Sequence, residues 1–220
     1  MQRDERKLLF ENIDIYPVTC SRLSNGRTDL EVLEALIEGG ARIVQLREKE
    51  LCERDFFLLA EKFREITAKA GMLLIINDRV DVALAVGADG VHLGQDDLPL
   101  RAARSLAPGL LLGVSSHNGR EALRAQAEGA DYVNIGPIFP TGTKEGLTGF
   151  LGPEAILGIA PLLRIPWTVM GGIKEANLGR LLAVGARKVA VVTAFTQAPR
   201  ISLAVRAFRE IMREWNVKNE

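Results

Sequence analysis

The chain has 220 residues, 47% of them hydrophobic, and 28 basic side chains balance 28 acidic ones. A neutral chain lacks the broad basic surface that nucleic-acid binding requires, although a local cationic cluster would still suit a small anionic ligand. No apolar run approaches the roughly 20 residues of a membrane span, and the charged start, Met1 to Lys7, leads into no signal-type segment, so a cytoplasmic protein is expected.

Strands and helices alternate. Short runs rich in Val, Ile and Leu predict strands near 13–19, 42–46, 72–76, 89–93, 110–114, 131–136, 166–170 and 187–192, with 1–12 as an N-terminal extension. Eight such strands, each followed by a helix, are what a single-domain (β/α)8 TIM barrel needs. Between them, Phe56, Leu59, Phe63 and Ile66 recur at helical spacing, as do Ile201, Val205, Phe208, Met212 and Trp215. Thr28 with Glu31 reads as a capping box, Asn118 as an N-cap and Pro153 as a first-turn proline. Gly-Ala pairs at 40–41, 87–88, 129–130 and 185–186 sit where a helix should close and a strand begin.

Seven strand ends run into polar or glycine-rich clusters, which places candidate chemistry at the mouth of the barrel. After the second strand, alternation puts Gln45, Arg47 and Lys49 on one side, a set suited to a phosphate-bearing ligand. Asp78 and Asp97 end the third and fourth strands. They could share a hard divalent cation, or each could cap the helix that follows. Thr141, Thr143 and Lys144 lie in a glycine-rich loop, 141–152, whose groups suit an oxyanion and which is expected to close over bound substrates. Gly171-Gly172 and Val192-Thr193 occupy the strand ends where such barrels often bind phosphate. His92, inside a strand, reads as a packed histidine. His117 lies two residues from Ser115, but that proximity does not establish a nucleophile pair, and no acid partner is evident from the sequence. Cys20 and Cys52 have no metal-type spacing and read as free thiols.

Taken in order, Gln-Leu-Arg-Glu-Lys at 45–49, Ile-Ile-Asn-Asp at 75–78, Gly-Val-His-Leu-Gly-Gln-Asp-Asp at 90–97, Gly-Val-Ser at 113–115, Gly-Pro-Ile-Phe-Pro-Thr-Gly-Thr-Lys at 136–144 and Gly-Gly-Ile at 171–173 closely resemble the thiamine-phosphate synthase family. The resemblance spans residues 13 to 210 and implies a transferase. Such an enzyme joins a hydroxymethylpyrimidine diphosphate to a thiazole phosphate, or its carboxylated form, with Mg²⁺, and releases pyrophosphate. It implies that Gln45, Leu46, Arg47, Glu48, Lys49, Asn77, Ser115 and Lys144 hold the diphosphate substrate, with Arg47, Lys49, Ser115 and Lys144 acting in catalysis. Asp78 and Asp97 would hold Mg²⁺, and Thr141, Thr143, Gly172, Val192 and Thr193 the thiazole phosphate. Thr193 stands where the family commonly has serine, which keeps the hydroxyl. The alternatives are a thiazole tautomerase, a non-catalytic barrel that binds thiazole phosphate and regulates, and a phosphosugar isomerase. The expected partners are small molecules rather than nucleic acid or membrane, with a homo-oligomer left open.

Overall fold

A computed structural model describes residues 1–143 and 149–219. Each predicted strand is present: β1 (Ile15–Pro17), β2 (Ile43–Leu46), β3 (Leu73–Asn77), β4 (Gly90–Leu93), β5 (Leu111–Ser116), β6 (Tyr132–Ile135), β7 (Trp167–Met170) and β8 (Val189–Val191). All neighbours pair in parallel, in the order β1-β8-β7-β6-β5-β4-β3-β2. The ring closes between its ends through a parallel bridge of Val18 with Gln45 and a 2.9 Å bond from Thr19 N to Gln45 O. The sequence thus folds as an eight-stranded (β/α) barrel.

The helices are α1 (Arg3–Glu11), α2 (Asp29–Glu38), α3 (Glu53–Lys69), α4 (Val80–Ala85), α5 (Leu100–Leu106), α6 (Gly119–Ala127), α7 (Ala155–Ile159), α8 (Glu175–Ala183), α9 (Thr193–Thr196) and α10 (Ile201–Asn219). Among the described residues, no helix is long and apolar enough to cross a membrane. Thr28 and Glu31 form the expected reciprocal cap on α2, and the Asn118 side chain accepts from Glu121 N. Pro153 precedes its helix rather than opening it, because α7 begins at Ala155. Gly40, Gly87, Gly129 and Gly185 all take positive φ, the left-handed conformation that ends a helix without a Cβ penalty.

Side-chain parity divides the strands between two cores. Val44, Leu46, Leu74, Ile76, Val91, Leu93, Leu112 and Val114 pack outward under the helices with Phe56 and Phe63. Tyr16, Ile43, Leu73, Ile75, Leu111 and Tyr132 fill the barrel's interior. Helix α1, in the segment read as an extension, closes the floor of that interior. Phe10 stacks on Tyr132 at 4.2 Å between ring centroids. Arg3 and Lys7 pair with Asp131 (2.7 and 3.2 Å), and Arg6 pairs with Asp89 (3.3 Å). Asp89 and Asp131 also accept backbone bonds from Leu74 and Leu112, so each ties a strand start to the floor helix.

Candidate active site

With the floor sealed, the open end of the barrel is a cavity of about 1070 Å³, counting space open to solvent. Its wall is built by parity. Gln45 points in from β2, and Arg47 and Lys49 continue the same side beyond it; all three line the cavity. Asn77 and Asp78 enter from β3, His92 from β4, Ser115 from β5 and Asn134 from β6. Thr141, Thr143, Gly172, Val192 and Thr193 complete the rim.

Two residues of the 45–49 segment are placed elsewhere by the same alternation. Leu46 is fully buried in the outer core. Glu48 turns to the far side, where its carboxylate accepts from Ser21 N and Ser21 Oγ, both at 2.7 Å. That makes Glu48 a brace for the loop rather than a cavity group. Beside it, Asp29 is buried, and burial followed by the Glu48 charge pushes its carboxyl up to about 7. Lys144 lies outside the described residues.

Neither aspartate caps a helix. Helix α4 starts after Arg79 and α5 after Pro99, and neither N-cap has a side-chain bond. Asp78 instead forms an ion pair with Lys49. Asp97 Oδ2 accepts from Gly94 N at 2.6 Å. The two carboxyls face each other: burial and then the Asp78 carboxyl raise Asp97 above its ordinary value. A like-charged oxygen pair at a cavity wall, offset by one lysine, is a donor set for a hard cation. Among the described residues no cluster of three or more metal-type side chains forms, so the rest of a coordination shell would fall to ligand oxygens and water.

The phosphate-type rim depends on glycine. Gly172 has φ +62°, and a Cβ there would stand 2.4 Å from Pro140 O. Asn177 Nδ2 donates to Gly172 O (2.9 Å), fixing the turn, and Thr141 Oγ1 bonds Thr143 Oγ1 at 3.0 Å across the facing loop.

The histidine that meets Ser115 is His92, with Nε2 at 2.9 Å from Ser115 Oγ, while His117 pairs with Glu121 at 2.9 Å. His92 is buried, and burial lowers its ring to about pKa 4, against a weaker upward pull from Asp97. His92, Asn134 and Met170 were not singled out for the cavity by sequence reasoning. Their signal is period two, since the inward parity of Gln45 and Asn77 extends to these registered positions on β4, β6 and β7.

The model of the family described as thiamine monophosphate synthase matches residues 15–195. A thiamine-phosphate synthase of Chloroflexus aurantiacus is 46% identical over 198 residues, covering 90% of this chain and 92% of the relative. One of Caldicellulosiruptor saccharolyticus is 37% identical over 216 residues, covering 98% of both chains. A solved thiamine phosphate pyrophosphorylase from Pyrococcus furiosus superposes with TM-score 0.85 at 34% identity, over 92% of this chain and 96% of that one.

Proposed function

The chain belongs to the thiamine monophosphate synthase family, and from that membership we infer that it is a thiamine-phosphate synthase. The reaction joins a hydroxymethylpyrimidine diphosphate to a thiazole phosphate and releases pyrophosphate, with carbon dioxide released as well when the carboxylated thiazole reacts. The observation that carries this reading is the arrangement of the cavity wall. Arg47 and Lys49 stand beside the Asp78–Asp97 pair on one side, and the glycine rim at 172 lies on another. A tautomerase or a phosphate-binding regulator would need the rim but not the cation-and-carboxylate wall.

The diphosphate binds against Gln45, Arg47, Lys49, Asn77 and Ser115, with Lys144 as a further cation. Asp78 and Asp97 would hold Mg²⁺. Bound there, it would supply positive charge to offset that of the leaving diphosphate. Arg47 contributes a fork of donors and Lys49 a mobile point charge, both aimed at oxygens that become more negative as the C–O bond breaks. The departing group leaves a cation on the aminopyrimidine methylene. The thiazole nitrogen, held in place through its phosphate at Thr141, Thr143, Gly172, Val192 and Thr193, attacks that carbon. This nitrogen has no proton to lose, so the step calls for no base. The hydrophobic share of the wall, including Met170, Pro137 and Ile173, keeps water from the cation. The setting is the cytoplasm.

Pyrophosphate release under Mg²⁺ titration tests this reading. The protein should release pyrophosphate only with both substrates and metal present, and Asp78→Asn with Asp97→Asn should raise the Mg²⁺ required. Release that ignores the metal, or a double variant with wild-type metal dependence, would remove the metal assignment.

A further inference from the structure

A line of hydrogen bonds runs through the barrel's interior to the cavity. Gln45 Nε2 donates to Tyr16 OH at 2.9 Å, and Tyr16 OH meets Tyr132 OH at 2.8 Å. Tyr132 OH meets His92 Nδ1 at 3.1 Å, and His92 Nε2 meets Ser115 Oγ at 2.9 Å. Both tyrosines are fully buried. Gly113 makes their space: a Cβ there would fall 2.0 Å from Tyr132 Cζ.

Proton counting gives the line a direction. An amide nitrogen only donates, and a phenol has one proton. A phenol oxygen can accept twice, but each buried phenol proton needs an acceptor. Among the described contacts Tyr16 can give its proton to Tyr132 alone, and Tyr132 then gives its own to His92 Nδ1. Burial raises both phenols, so each keeps its proton. A neutral imidazole that accepts at Nδ1 carries its hydrogen on Nε2. Ser115 Oγ receives that hydrogen bond, and its own hydroxyl proton is left to point into the cavity.

We propose that Gln45, Tyr16, Tyr132 and His92 are positioning residues that set Ser115 as a hydrogen-bond donor toward an anionic oxygen of the substrate. This rests on the reading that Ser115 contacts the diphosphate. The same tautomer rules out a serine nucleophile, because a ring nitrogen that already bears hydrogen cannot take the Ser115 proton. The Ser115–His92 pair, at a distance common in hydrolases, is therefore a one-way donor.

The chain has only two histidines, so ¹⁵N spectra of histidine-labelled, ligand-free protein at neutral pH read the tautomer, with His117→Gln assigning the signals. Hydrogen on His92 Nε2 is the expected result, and hydrogen on Nδ1 overturns the relay whatever the enzyme does. Tyr132→Phe, or Tyr16→Phe where that variant folds poorly, should abolish the tautomer preference. Kinetics then separate positioning from mere packing. Ser115→Ala should lower kcat/KM for the pyrimidine diphosphate by about tenfold or more, as expected for one hydrogen bond to a charged group. Adding Tyr132→Phe to Ser115→Ala should cost almost nothing more. If Tyr132→Phe lowers the Ser115→Ala enzyme as much as it lowers the wild type, the relay does not act through Ser115 and the proposal fails. If Ser115→Ala alone turns over normally, the diphosphate reading of Ser115 falls, and the role proposed for the relay falls with it.

Discussion

Asp78 holds a left-handed backbone, φ +61°, which a non-glycine residue pays roughly 1–3 kcal/mol to keep. Its amide donates to His92 O at 2.8 Å, and this bond locks the carboxyl at the mouth beside Lys49 and Asp97. Asparagine tolerates the same conformation. Asp78→Asn should therefore keep its folding stability within about 0.5 kcal/mol while lowering turnover at limiting Mg²⁺ by roughly tenfold or more, the cost of one charged contact. Urea melts and metal titration together check this; lost stability with retained metal response would return Asp78 to a structural role. Gly172 is a poorer probe of phosphate binding, because any side chain drives into Pro140 O and moves the loop. Asp29 gives a pH-linked test. Its folded carboxyl is raised to about 7 by burial and by Glu48, and one of its oxygens has no hydrogen-bond partner. Below its unfolded value the folded and unfolded forms are both protonated and nothing is lost. As pH rises toward 7 the unfolded chain ionises first, and stability falls. Asp29→Asn, able to donate to Glu48, should be more stable than wild type by about 1–3 kcal/mol above pH 7. The gain should shrink toward pH 4 in denaturant melts; a gain that does not vary with pH would contradict the buried acid pair.

At the scale of elements, the floor helix is the part that sequence patterning conveys least. The strands were legible because they are short runs rich in Val, Ile and Leu, four of them with Gly-Ala ahead and seven with polar or glycine-rich residues behind. Helix α1 offers Phe10 as its one buried side chain, and its other anchors are Arg3, Arg6 and Lys7, whose carboxylate partners lie far along the chain. Nothing local announces such pairings. Phe10→Ala should cost roughly 3–5 kcal/mol, as for other buried phenylalanines, measured by urea unfolding; a cost below about 1 kcal/mol would mean that the floor is not part of the cooperative core. The Asp131 clasp should show in acid. Burial alone would raise this carboxyl, but bonds from Arg3, Leu112 N and Arg104 outweigh it and lower it. A lowered carboxyl contributes stability that is present above its unfolded value, 3.8, and is lost as pH falls through the folded one. Wild type should therefore lose stability below about pH 4 faster than Asp131→Asn, and parallel acid melts of the two would contradict the clasp.

For the whole molecule, the barrel divides structure and chemistry along one axis. Its floor is apolar and clasped by arginines, its middle carries the tyrosine–histidine line, and its mouth gathers the cations, the carboxylate pair and the glycine rim. The mouth was readable because polar residues at successive strand ends can only meet there. The exclusion of Leu46 and Glu48 was also implicit, since they alternate with Gln45, Arg47 and Lys49. The middle was not readable, because its hydrogen bonds join β1, β2, β4, β5 and β6 and depend on the closed ring. The central claim is that this mouth joins two phosphorylated heterocycles. Its most direct test is to mix the purified protein with pyrimidine diphosphate, thiazole phosphate and Mg²⁺ and follow products by mass spectrometry. The expected result is thiamine phosphate and pyrophosphate in equal amounts. Isomerised thiazole, hydrolysed pyrimidine diphosphate without coupling, or unchanged substrates would contradict it.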